Sequence, residues 1–163
     1  MRTSVAAISL LAAVACSSSL EHSGGVPRLE ATSETVGVEG LWLGMSHQAA
    51  EQALGSALPI QEEFAEACGT GYSKARVAGH RVTIQWADNP PREIESIFVN
   101  VPTKNIGTAL EGLLAGADSH LERCPADSPA APHCFRHRRG MVVYGDPGAP
   151  SPGIWLSLQD CTD

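Results

Sequence analysis

The stretch Tyr72-Ser73-Lys74-Ala75-Arg76-Val77-Ala78-Gly79-His80-Arg81-Val82-Thr83-Ile84-Gln85-Trp86 decides the fold. Val82, Ile84 and Trp86 alternate with Thr83 and Gln85, the period-two signature of a strand that buries one face and wets the other. Ala78-Gly79 divides the stretch into two strands, Tyr72 to Val77 and His80 to Trp86, joined by a hairpin turn. Asn89-Pro90-Pro91 is a loop signal, and Ile97, Val99 and Val101 beyond it alternate again, so the sequence predicts a three-stranded antiparallel meander.

A short helix precedes the meander. Ser46 can accept a hydrogen bond from a first-turn amide, Gly55 supplies the stop after Leu54, and Met45 can pack back on Ala50 as a staple. Ala50, Ala53 and Leu54 share one face of that helix. A second helix is expected from about Asn105 to Glu122, with Ile106, Leu110, Leu113, Leu114, Ala117 and Leu121 along one stripe. Three more strand candidates follow at Cys134 to Arg138, Met141 to Tyr144 and Ile154 to Leu158, the first two turned by Arg139-Gly140. Two helix-then-three-strand units therefore suggest a weak internal duplication, and the expected class is α+β with helices packed on one face of an antiparallel sheet. The alternative is a single irregular sheet without repeat symmetry.

The first residues carry an address. A basic start at Met1-Arg2, an apolar run from Val5 to Ala15 and small residues before Cys16 describe a secretory signal peptide over residues 1–15. That run is half the roughly 20 residues needed to span a bilayer as a helix. Leu11-Ala12-Ala13-Val14-Ala15-Cys16 resembles the bacterial lipobox, with Ala13 standing where leucine is usual. The resemblance implies an acylated Cys16, and Ser17 after it implies sorting to the outer membrane. Residues 16–37, rich in Ser, Gly and Glu, read as a flexible tether with a reach of about 25 Å, and residues 38–163 as one folded domain.

Cysteine parity supports that address. Of five cysteines, acylation of Cys16 leaves Cys68, Cys124, Cys134 and Cys161, an even set suited to an oxidising compartment. Cys124–Cys134 with Cys68–Cys161 is the preferred pairing, each bond contributing about 2–4 kcal/mol. Cys134–Cys161 with Cys68–Cys124 is the alternative. The net charge of −7, or −8 once Arg2 leaves with the leader, repels a phosphate backbone and argues against nucleic acid as a partner.

Leu43-Gly44-Met45-Ser46, then Ala50, then Leu54-Gly55, resembles the opening motif of BamE/OmlA-type outer-membrane lipoproteins and the wider β-lactamase-inhibitor-protein-like fold. Ala50 departs from the usual valine, and the second helix-and-strands unit and the four domain cysteines depart from the compact BamE-type unit. The resemblance implies an adaptor or binder without a catalytic centre.

Chemistry-bearing residues are few. Cys124, His133, Cys134 and His137 hold donors for a tetrahedral metal site, the basis of an alternative reading as a metal-dependent or hydrolytic enzyme, but their spacing matches no standard zinc motif. Arg136, His137, Arg138 and Arg139 form a basic patch at a hairpin, suited to an acidic partner, lipid headgroups or cell-wall carboxylates, or else a solvated tip. Of Trp42, Trp86 and Trp155, Trp86 is in phase with the core, whereas Trp155 is out of phase with Ile154 and Leu156 and should face a partner. Glu62-Glu63 and Glu93-Glu95 have no recognisable acid–base partner, and no nucleophile elbow or phosphate loop occurs. The sequence thus predicts a membrane-anchored envelope protein that binds another protein, with no catalytic residue and no cofactor; a lipid or cell-wall ligand binder is a further alternative.

Overall fold

Apolar alternation is realised as one long antiparallel sheet in the computed structural model, which describes residues 25–62, 71–116, 120–126 and 133–158. Strand β1 (Leu29–Ala31), β2 (Val36–Val38) and β3 (Leu41–Trp42) form a small three-stranded sheet. Helix α1 (His47–Leu54) leads into β4 (Gln61–Glu62), β5 (Gly71–Val77), β6 (His80–Trp86) and β7 (Ile94–Asn100). Helix α2 (Thr103–Gly116) leads into β8 (Leu121–Arg123), β9 (Cys134–His137), β10 (Val142–Asp146) and β11 (Gly153–Ser157). The eight later strands make one sheet ordered β4-β5-β6-β7-β11-β10-β9-β8. Each half is a meander after a helix, and the last strands of the halves pair at the centre.

Local chemistry sets the element ends. Ser46 caps α1, its Oγ accepting from the Ala49 amide at 3.3 Å, and Gly55 closes it at φ 63° while the Gly55 and Ser56 amides donate to Gln52 and Glu51. At the β5–β6 turn both Ala78 (φ 47°) and Gly79 (φ 87°) are left-handed, the geometry whose twist matches two flanking strands.

The inner face of the sheet is apolar in rows that run from strand to strand. Ile84, Ile97, Leu156, Val143 and Phe135 are successive register partners and all are buried; Val82, Val99 and Ile154 form the next row. Each such side chain removed from water contributes about 1.5–3 kcal/mol. Helix α2 lies across β10 and β11, where Ile106 and Leu110 reach the backbone at Gly145, and also against β1. Helix α1 meets the other half at its first turn, with the His47 ring edge-on to Trp86 at 4.8 Å. Trp86 is fully buried, and its indole N–H donates to Ser73 Oγ at 2.9 Å, which in turn donates to the Pro59 carbonyl.

Four expectations need correction. The α+β class does not hold: the two helices have 8 and 14 residues, strand residues outnumber helical ones about two to one among the described residues, and a three-stranded sheet shares the core with the eight-stranded one. Each helix is followed by four strands, because β4 and β8 have two and three residues, too few to show a period. Residues 16–37 are not a tether throughout, since β1 lies inside that range and β2 begins within it, with Leu29 and Val36 in the core. The second helix ends earlier than expected, with Leu121 opening β8 instead of extending the helical stripe.

Ala78 is exposed, so its left-handed backbone costs about 1 kcal/mol with no side-chain contact in return. Replacing Ala78 with Asn, which tolerates that conformation, should raise stability by about 0.5–1 kcal/mol. A urea unfolding midpoint unchanged or lowered in Ala78→Asn would contradict this.

Candidate functional site

The same alternation that buries Ile97 and Leu156 sends their neighbours to the opposite, outer face. Lys74, Thr83, Phe98, Trp155, Tyr144 and Cys134 are successive register partners there, forming one row across β5, β6, β7, β11, β10 and β9. At its centre Phe98 and Trp155 have ring centroids 4.7 Å apart, and Tyr144 stacks on Trp155 at 6.3 Å with planes 13° apart. All three rings are partly exposed. Gly153 makes the arrangement possible: a Cβ there would stand 2.3 Å from the Phe98 ring, so the ring lies directly over bare backbone. Tryptophan and tyrosine so placed offer large, rigid contact area at low entropic cost.

Trp155 thus stands on the outer face, as its phase implied, and has two aromatic neighbours that sequence reasoning did not single out. Phe98 is out of phase with Ile97 and Val99, and Tyr144 with Val143, so the parity test used for Trp155 applies equally to both. Trp42 instead packs its ring over Gly37 in the small sheet.

The basic hairpin is divided. Arg136 is exposed on the outer face of β9, at a register position between Glu122 and Val142. Arg138, Arg139 and buried His137 instead clasp the β1–β2 turn. His137 Nε2 donates to the Thr32 carbonyl at 2.8 Å while its Nδ1 accepts from the Arg139 amide at 3.2 Å, the bonding of the Nε2–H tautomer. Arg138 donates to the Ser33 carbonyl at 3.3 Å, and Arg139 pairs with Glu34. Much of the patch that resembled a partner site therefore holds the N-terminal hairpin on the protein's own sheet, and neither Arg138 nor Arg139 belongs to the aromatic row.

Cys124 and Cys134 form a disulfide, with Cα atoms 5.3 Å apart, as preferred from sequence. The bond takes both sulfurs out of the Cys/His donor set, and with His137 turned to Thr32 the four residues do not converge on one point. Among the described residues no three His, Cys, Asp or Glu side chains are grouped to hold a metal ion. Cys68, Cys161 and Cys16 lie outside the described residues. Glu62 is exposed and paired with Arg92 at 3.3 Å, and Glu93 is exposed, so neither forms an acid–base pair in a cleft.

Burial of its ring, helped by the Asp146 carboxylate, raises the Tyr144 pKa above the ordinary phenol value. Asp146 is held in place by the Gly148 and Ala149 amides, which donate to its Oδ1 at 3.1 and 3.0 Å. Because the folded protein favours the neutral phenol, this group's contribution to stability is complete below the unfolded pKa of about 10 and is lost as pH rises through the folded value. Ultraviolet titration of tyrosinate in a Tyr72→Phe background should give a midpoint above about 10, and Asp146→Asn should bring it only partway back, burial being the larger cause. A midpoint at or below the ordinary value would contradict this account. Searches of protein families, curated proteins and solved structures return no match for this chain, so the site rests on its geometry.

Proposed function

We propose that this protein is a lipid-anchored, non-catalytic envelope protein that binds another protein through the outer face of its eight-stranded sheet. The carrying observation is the row of Phe98, Trp155 and Tyr144, three contiguous and partly exposed rings on the face opposite both helices. Aromatic clusters of this kind supply most of the energy at protein interfaces. A hydrolytic or metal-dependent reading has less support, because the cysteines it would use are bonded to each other. The lipobox-like sequence ending at Cys16 supports anchoring, Ser17 supports the outer membrane, and the likeness of the Leu43–Gly55 segment to adaptor lipoproteins supports a binding role.

Crosslinking in intact envelopes followed by purification should recover a protein partner from the parent chain and lose it from Trp155→Ala, with thermal unfolding confirming that the variant still folds. The same partner recovered equally from both would remove the aromatic row from the interface. Mass spectrometry of the mature N-terminus should find a diacylglyceryl group on Cys16. An unmodified or differently cleaved terminus would end the anchoring proposal.

A further inference from the structure

On the outer face, β5 and β6 present Lys74, Arg76 and Arg81, all exposed. Arg76 and Arg81 are direct cross-strand partners, and Lys74 lies two residues along the same face. Like charges directly opposite one another destabilise a sheet. Among the described residues none of the three carries an ion pair; Lys74 lies 5.1 Å from the Tyr72 ring centroid, and Arg76 makes a long 3.4 Å bond to the Gly79 carbonyl. Register places Tyr72, Lys74, Arg76, Arg81, Thr83, Gln85, Ser96, Phe98 and Asn100 at the outer positions of β5, β6 and β7, none of them a carboxylate, and Glu95 of β7 sits at the bulge beside Gln85 and Trp86, at the end away from Arg76 and Arg81. In a chain of net charge −7, this corner sets Arg76 against Arg81 beside Lys74 with no carboxylate paired to any of them, which breaks the local pairing rule.

We infer that this corner selects the partner: the outer face takes an extended, acidic polypeptide segment whose carboxylates meet Lys74, Arg76 and Arg81 and whose apolar side chain meets Trp155. The inference rests on the proposed protein-binding function and adds the partner's chemistry. Geometry sets the spacing. Lys74 and Trp155 occupy one row, three strands apart, a distance of about 14 Å at about 4.8 Å per strand. An extended chain advances about 3.3–3.6 Å per residue, so a carboxylate and an apolar anchor about four residues apart span it. Charge sets the partner's size. A membrane surface or nucleic acid is wide and meets the acidic remainder of the molecule too, whereas a short segment sits within a Debye length of about 8–10 Å of the cationic corner.

The test uses the full-length chain in nonionic detergent with the fluorescent peptide Asp-Glu-Asp-Gly-Ser-Gly-Phe, its Asn-Gln-Asn counterpart and its Lys-Lys-Lys counterpart. The acidic peptide should bind about tenfold more tightly than the neutral one at low salt, and the gap should narrow as salt rises. K74E/R76E/R81E should abolish that preference and favour the lysine peptide, while Trp155→Ala should weaken acidic and neutral peptides alike. Arg81→Glu alone, which places opposite charges across the strands at Arg76, should fold at least as stably as the parent and still lose part of the preference. Equal binding of acidic and neutral peptides, both weakened by Trp155→Ala, would overturn the charge selection and leave the protein-binding face standing. No binding of the acidic peptide would also overturn it, and with a partner list unaffected by Trp155→Ala both readings fall. Displacement of the acidic peptide by soluble short-chain phosphatidylglycerol at lower concentration than by unlabelled peptide would assign the corner to lipid instead.

Discussion

The register between β7 and β11 is the constraint on which both faces of the molecule depend. Five consecutive pairs, from Ser96 with Ser157 to Asn100 with Gly153, join the two meanders. In that register Ile97 meets Leu156 and Val99 meets Ile154, all fully buried, while Phe98 meets Trp155 on the other side. A slip of one residue on either strand would bring aromatic rings into the core and aliphatic side chains into water, because side-chain direction alternates with every residue. The cost of exposing Leu156 and Ile154 at about 1.5–3 kcal/mol each specifies the register, and the aromatic row is positioned by the same energy. Site and core are thus two readings of one pairing.

An inner face of this width needs more cover than two helices give. Eight strands at about 4.8 Å spacing span well over 30 Å, whereas a helix covers about 10 Å. The three-stranded sheet β1–β3 completes the layer, contributing Leu29, Val36, Val38 and Leu41 to the core. Its β1–β2 turn is fastened at the far edge by His137, Arg138 and Arg139. The His137 bond matters more than the exposed Arg139–Glu34 pair, since exposed pairs are worth about 0–1 kcal/mol while a buried imidazole N–H left without its acceptor costs about 1–3. The basic hairpin has this fastening duty whatever else the protein binds.

How much of this could be read from the chain follows from the physical range of each signal. Helix α1 was legible to the residue, because Ser46 and Gly55 act within one turn of their own positions. The β5–β6 hairpin was equally legible, its apolar period and its turn both lying within fifteen residues. The strands of two or three residues were not, since Gln61–Glu62 and Leu121–Arg123 show no alternation and exist because a neighbour offers an unpaired edge. Leu29 and Val36 flank a polar turn at Ser33-Glu34 that, taken locally, reads as linker; only a distant sheet needing cover makes them core. For the site, parity placed Trp155 correctly, but its company with Phe98 and Tyr144 and the confrontation of Arg76 with Arg81 are properties of register, which links residues dozens of positions apart. The bonds of Arg138 and Arg139 to the β1–β2 turn were illegible for the same reason, since Ser33 and Glu34 lie more than a hundred residues away.

The disulfide belongs to the same logic. Cys134 ends the outer row beside Tyr144, and its bond to Cys124 ties β9 to the residue that follows β8, where the Cys124 amide also donates to the Cys134 carbonyl at 3.0 Å. A three-residue edge strand has little pairing energy of its own, and an edge that frays offers bare backbone to any other chain. The covalent tie keeps β8 on β9, and β9 in turn carries both His137 toward the inner layer and Arg136 toward the outer face. Loss of that tie would therefore act first on the fastening of the N-terminal hairpin and only later, through β10, on the aromatic row. The aromatic row lies at the centre of the sheet, where each strand is paired on both sides, so its geometry depends least on the two edges.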